Sequence, residues 1–255
     1  RISMWKDAQD HTEPIITAKA HIASAHGCSG LPPFPKTALL FYTHAGVEYL
    51  REKETCGLLC EKLPRFLQGC PVYRLNERLC FLDGGRGAPQ AADTLETLAA
   101  LGVEQVFSVG MCGAFSSKIR VGDVVVPNKA FVEEGTSLHY YSAIDAAQPD
   151  AGLFAALCAI PGAKAFPIVS CDAVYRQTFL KERLWREKGA VAVDMETSAL
   201  FSVGKCLGVK VASVLMASDS HPLEDGETKW EWKVTGRQRQ ELFEKALGAI
   251  LPALV

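Results

Sequence analysis

Two apolar strand-like runs, each closing on an acid and joined by a helix-spaced segment, constrain this chain more than any other feature. Between Ala190 and Asp219 it reads AVAVDMETSALFSVGKCLGVKVASVLMASD. Ala190–Val193 is short, apolar and β-branched, which suits a buried strand. Over Thr197–Leu207 the apolar residues Ala199, Leu200, Val203 and Leu207 recur at helical spacing, and Gly208 stands where a helix stops. Val209–Ala217 is a second, mostly apolar strand. Asp194 and Glu196 follow the first strand, and Asp219 follows the second. In a parallel α/β sheet the carboxyl ends of the strands face the ligand crevice. The reading is therefore two adjacent strands that direct Glu196 and Asp219 into one pocket.

The rest of the chain repeats the alternation. Thr37–Tyr42 reads as the first buried strand and ends in the loop Thr43-His44-Ala45-Gly46; the charged, amphipathic Val47–Leu67 reads as a helix. Val72–Leu75 and Arg78–Leu82 form a predicted hairpin around Asn76-Glu77. A glycine turn at Gly84–Gly87 leads into a helix from Pro89 to Leu101. Strands follow at Glu104–Gly110, Val121–Pro127 and Phe166–Ser170, and helices at Ala151–Ile160, Phe179–Lys188 and about Arg237–Leu251. This spacing predicts an α/β fold with a mostly parallel sheet covered on both faces. No Pro/Gly/Ser-rich linker divides the 255 residues. The predicted organisation is an N-terminal extension wrapping the surface over residues 1–36 and a single domain over 37–255.

Composition narrows the partners. A net charge of −2 gives no electrostatic reason for a nucleic-acid partner. No apolar run approaches the roughly 18 residues of a membrane span, and the opening residues show no signal-like segment, so a cytoplasmic protein without a membrane partner is expected. Nine scattered cysteines read as buried thiols rather than a disulfide framework. Cys56 and Cys60 lie one helical turn apart with no second pair to complete a zinc site, so no metal is expected.

Two glycine turns carry candidate chemistry. Gly84–Gly87 suits backbone N–H contacts to an anion at a helix N-terminus, with Gly85, Arg86 and Gly87 as candidates, and equally suits a plain strand-to-helix turn. Neither a Gly-Lys-Ser/Thr nor a third glycine follows, which excludes a Walker loop and counts against a dinucleotide-binding oxidoreductase. The second turn, Val109–Ala114, holds Gly110 and Met111 at the end of a strand; its glycines suit close approach of a ligand or tight packing.

SVGMCGAF, then VGDVVVPNKAF, GTSLHYY, VDMETSALF and the Ser218-Asp219 pair together make the chain similar to the nucleoside phosphorylase family. That family includes hexameric purine nucleoside phosphorylases, uridine phosphorylases and methylthioadenosine/S-adenosylhomocysteine nucleosidases. The resemblance runs from about Thr37 to the C-terminus. It implies a three-layer α/β sandwich around a central mixed, mostly parallel sheet. It also implies a homo-oligomer built as a dimer or a trimer of dimers. Met195 and Glu196 match the pair that holds the ribose, where a carboxylate accepts from sugar hydroxyls and stabilises positive charge on the sugar. Asp219 matches the aspartate beside purine N7, which must be protonated or share a proton so that the base leaves neutral. Val174 and Tyr175 match the base-stacking segment, and His139 lies in the segment beside the sugar. The resemblance also implies a histidine from the N-terminal region that reaches a neighbouring subunit's ribose, a part open to His21 or His26.

The acceptor side departs from the family pattern. The family's Gly-Asp-Pro-x-Arg loop, its arginine before the central glycines and its hydroxyl within them are replaced here by Tyr42–Gly46, Ser108 and Met111. A dianion without a cation is costly to hold in a low-dielectric pocket. Either Arg86, His44 or a subunit-crossing Arg74 or Arg78 rebuilds the phosphate site, or water attacks the sugar, with Glu48 the nearest carboxylate to activate it. The expected function is cleavage of the N-glycosidic bond of a purine-like nucleoside, with phosphate as co-substrate and no other cofactor. The alternatives are a hydrolytic nucleosidase and a nucleoside-binding protein without turnover.

Overall fold

The computed structural model describes residues 12–24, 30–43, 45–227 and 230–254. A single hydrogen-bonded sheet runs through the chain. At one end β2 (Gly57–Cys60), β3 (Val72–Arg74) and β4 (Leu79–Asp83) form an antiparallel ribbon, which contains the predicted hairpin. The order continues through β1 (Thr37–Phe41) to β5 (Gln105–Ala114), both parallel to β4. Beyond β5 the sheet curls. β10 (Lys210–Ser220) pairs with β5 in parallel and with β6 (Val124–Glu133) antiparallel; β6 pairs with β8 (Lys164–Cys171), β8 with β9 (Ala192–Asp194), and β9 returns to β5. Short strands β7 (Ala146–Ala147) and β11 (Glu231–Trp232) lie on β6 and β10.

Strand alternation builds the three layers. Leu40, Cys80, Leu82 and Val106 face one side, against Ala91, Leu95 and Leu98 of α3 (Gly87–Ala100) and Leu200 and Val203 of α6 (Thr197–Leu207). Leu39, Phe41, Phe81, Phe107 and Val109 face the other. There they meet α2 (Gly46–Lys53), α4 (Ala151–Cys158) and α7 (Gly236–Ile250) through Leu50, Leu157, Leu242 and Phe243. A third cluster joins Phe115, Phe131, Val169 and Val193 to Trp185 of α5 (Phe179–Glu187). The N-terminal helix α1 (Ala18–Ala23) packs on α3.

Three expectations are corrected here. The helix expected over Val47–Leu67 stops at Lys53, because Thr55-Cys56-Gly57 favours helix poorly and Leu58–Cys60 instead pairs with β3. Cys56 and Cys60 therefore do not share a helical turn. The expected turn at Gly110–Ala114 is a continuation of β5. β1 ends beside Val109, so this upper half of β5 is free on that side, and β9 runs down along it antiparallel. Third, β9 and β10 are not neighbours: Gly113 of β5 lies between them, paired with Val193 on one side and Asp219 on the other.

Candidate active site

Glu196 stands at the start of α6 but does not cap it. Asp194 does so: its Oδ2 accepts the Thr197 N–H at 3.0 Å and the Thr197 hydroxyl, and its Oδ1 accepts the Ser170 hydroxyl at 2.5 Å. Glu196 is thereby left to reach the N-terminus of α3, where Oε1 accepts the Gly87 N–H at 2.7 Å. A helix N-terminus carries partial positive charge and favours a carboxylate. Burial nonetheless raises the Glu196 pKa, and Asp194 raises it further, against the lowering effect of the Gly87 and Met195 N–H groups and of Arg86. Asp194 is raised too, by burial, despite its bonds to Ser170 and Thr197.

The turn before α3 thus receives a carboxyl group, and that group is the side chain of Glu196. Gly85 and Gly87 have φ of +94° and +75°, a conformation glycine adopts freely. All three amides of the expected phosphate turn are occupied by the chain's own side chains. Gly85 donates to Asp83 Oδ1 at 2.7 Å, Arg86 to Gln90 Oε1 at 2.8 Å and Gly87 to Glu196. Of the three candidates, Arg86 keeps guanidinium donors to offer; the group lies 3.3 Å from Asp83 at a half-exposed position.

Tyr42 and Thr43 follow β1 at the same level. The Tyr42 ring covers Gly84, where a Cβ would fall 2.4 Å from it. Among the described residues the hydroxyls of Tyr42 and Thr43 are both buried without a hydrogen-bond partner. Burial, and then the Glu196 charge, raise the Tyr42 phenol well above its ordinary value. A cavity of about 300 Å³ lined by Thr43, Ala45, Glu48, Pro71 and Asp83 opens beside them. His44 and His26 lie outside the described residues.

Asp219 is the centre of a second network. Its Oδ1 accepts the Ser218 hydroxyl at 2.5 Å; its Oδ2 accepts the Trp230 indole N–H and lies 3.1 Å from His221 Nε2. The other ring nitrogen, His221 Nδ1, is 2.6 Å from Glu182 Oε1 on α5. A Cβ at Gly113 would fall 2.5 Å from His221 Nε2, so the imidazole fills the space this glycine leaves. Burial lowers the His221 pKa, but the bonds to Asp219 and Glu182 raise it by more, to about 9. The ring is an imidazolium at neutral pH and donates from both nitrogens. Burial raises the Asp219 carboxyl, while His221, Ser218 and Trp230 outweigh it and hold the group below its ordinary value. Of the two expected forms, a protonated Asp219 or one that shares a proton, these surroundings support sharing.

His221, Glu182 and Trp230 are absent from the sequence's candidates. His221 carries one local signal, since i and i+2 on a strand share a face; Glu182 and Trp230 reach Asp219 through tertiary folding. Between the two networks lies Cys112, whose thiol is pushed up by burial and then by the charges of Asp194 and Asp219.

The remaining candidates are placed differently. Gly110 packs against Leu215, 3.1 Å from the Cβ it lacks, and Met111 joins the core on the α2/α4/α7 face, so both serve packing. Ser108 is paired with Ser213 at 2.6 Å in the core. Val174 and Tyr175 sit on a 3-10 turn at the surface, Tyr175 being 95% exposed, so within one chain neither forms a stacking wall. His139 ends a 3-10 turn, Thr136–His139, which is anchored by Ser137 on Glu134. Arg78 donates to the Leu254 carbonyl at 2.5 Å and Arg74 to that of Pro33 at 2.7 Å. Arg78 precedes β4, at the opposite end of the sheet from Glu196. A cavity of about 590 Å³ lined by Lys129, Tyr141, Phe201, Lys205 and Val211 takes in none of the candidates.

The profile of the phosphorylase superfamily matches residues 66–252. The chain belongs to that superfamily. A guanosine phosphorylase of Halorubrum lacusprofundi is 34% identical over 138 residues, which are 51% of this chain and 56% of that protein. The matched part is thus little more than half the length of that relative. A DeoD-type purine nucleoside phosphorylase of Caldanaerobacter subterraneus is 26% identical over 216 residues, 82% of this chain and 90% of the other. Among solved structures, a purine nucleoside phosphorylase of Toxoplasma gondii in complex with immucillin-H superposes with a TM-score of 0.74 at 20% identity, over 89% of this chain and 96% of that one. This likeness shows the phosphorylase-like fold: an α/β sandwich on a central mixed sheet.

Proposed function

We propose that the chain is a phosphorylase of the purine nucleoside type, transferring the pentosyl group of a purine nucleoside from the base to phosphate. The observation that carries this is the pair of carboxylate networks on either side of the upper half of β5, Glu196 just beyond β9 at the start of α6 and Asp219 on β10. The sugar lies against Met195 and Glu196, where a carboxylate favours the positive charge that builds as the glycosidic bond lengthens. The base lies toward Asp219, which supplies a proton to make it a better leaving group. On the acceptor side, the unpartnered hydroxyls of Tyr42 and Thr43 and the free donors of Arg86 support a site for phosphate oxygens. The family membership and the names of the relatives support phosphate over water.

A homo-oligomer in the cytoplasm, built on one domain over 37–255, is part of the proposal. Tyr175, Leu180 and Leu184 leave apolar surface for a second copy to cover, and no helix among the described residues is long and apolar enough to cross a membrane. The test is release of free base from a panel of nucleosides with and without phosphate. Release from purine nucleosides that requires phosphate is expected. Release that ignores phosphate would replace the proposal with a nucleosidase, and saturable binding without release would replace it with a binding protein.

A further inference from the structure

We infer that the proton taken by the leaving base is stored on His221, and that Glu182 of α5 is the positioning residue that keeps it there. The inference rests on the reading of Asp219 as the acid beside the base. An ordinary aspartate titrates near about 3.9 and has no proton to give at neutral pH. Asp219 is further stabilised as an anion by three donors, from Ser218, Trp230 and His221. One of those donors is ionisable. His221 points Nε2 at Asp219 from 3.1 Å and Nδ1 at Glu182 from 2.6 Å, so the ring bridges the carboxylate at the base to one buried in α5.

Each element packed around the imidazole supports this arrangement. β10 supplies Asp219, and α5 supplies Glu182, whose side chain is 7% exposed. β5 supplies Gly113, whose missing side chain makes room for the ring. One turn along α5, Arg186 donates to the carbonyls of Phe115 at 3.0 Å and Leu223 at 3.3 Å, which ties the chain beyond His221 to the same helix. A carboxylate offers about four lone-pair sites. Three donors leave one lone-pair site, on Oδ1, for the base.

The transfer balances as follows. The bond from C1′ to the base breaks with its electron pair going to the purine, and a new C1′–O bond forms to phosphate. Purine N7 takes a proton from Asp219 as the Nε2 proton of His221 moves onto Asp219. His221 is left neutral, with Nδ1–H still held by Glu182. The proton that phosphate sheds to solvent on forming the ester equals the one that recharges the ring.

The experiment compares inosine with 7-methylguanosine, whose fixed positive charge lets its base depart without protonation. In the full chain His221→Gln should lose on the order of 100-fold in kcat/KM on inosine, the usual size of a general-acid effect, and only a few fold on 7-methylguanosine. Glu182→Gln, the milder change, should shift the alkaline limb of the inosine profile to lower pH. Proton NMR of the His221 ring follows the same proton without turnover and should give a lower midpoint in Glu182→Gln than in the unaltered protein. Equal losses on both nucleosides with an unmoved alkaline limb would make His221 merely structural and overturn the inference while leaving the proposed function intact. An unaltered protein that releases base from neither nucleoside would overturn the proposed function, and the inference with it.

Discussion

Replacing His221 by glutamine should change how the stability of the chain depends on pH. The imidazole titrates near 9 in the folded chain against 6.5 as an ordinary histidine, because Asp219 and Glu182 hold its charged form. The folded state thus binds this proton more tightly than the unfolded state. Its contribution is complete below about pH 6.5 and disappears as pH rises through about 9. At about 1.36 kcal/mol per pH unit, that increase corresponds to on the order of 3 kcal/mol. The side chain is 16% exposed, so solvent screens only part of this. Urea titrations of the two proteins at fixed concentration, from about pH 6 to about pH 10, give the stability difference at each pH. Groups common to both proteins cancel. The gap should be widest at the acid end and shrink by about 2–3 kcal/mol toward the alkaline end. A gap that stays constant would mean that the ring proton contributes nothing to the folded state, and would refute the reasoning.

Three further substitutions probe β5 and β10. Gly113→Ala places a methyl 2.5 Å from His221 Nε2. It should cost about 1–3 kcal/mol in urea titration and flatten the same pH dependence; a variant with the pH dependence intact would show that the ring does not occupy that space. Ser108→Ala or Ser213→Ala leaves a buried hydroxyl without its partner at 2.6 Å. Each should cost about 1–3 kcal/mol, and the double variant less than the two losses added; strict additivity in a double-mutant cycle would contradict the pairing.

What the sequence carried was local. The apolar spacing of α6, its stop at Gly208 and the β3–β4 hairpin are properties of short windows, and each stands where the pattern puts it. Asp194, Glu196 and Asp219 could be seen as acids at or just past strand ends for the same reason. The upper half of β5 could not be read, because glycines at 110 and 113 have the same local preferences in a turn and in a strand. Its hydrogen-bond partners, Val193 and Asp219, lie far along the chain. Those long-range pairings decide that β9 runs antiparallel to β5, that Glu196 answers the N-terminus of α3 rather than its own helix, and that Glu182 meets His221. By itself the sequence determined the elements with a clear local period, such as α6 and the β3–β4 hairpin, and the acids that stand at strand ends, since these depend on side-chain periodicity. The tertiary structure alone decided which charges face one another, since a carboxylate's proton affinity depends on burial and on neighbours that no stretch of sequence places beside it.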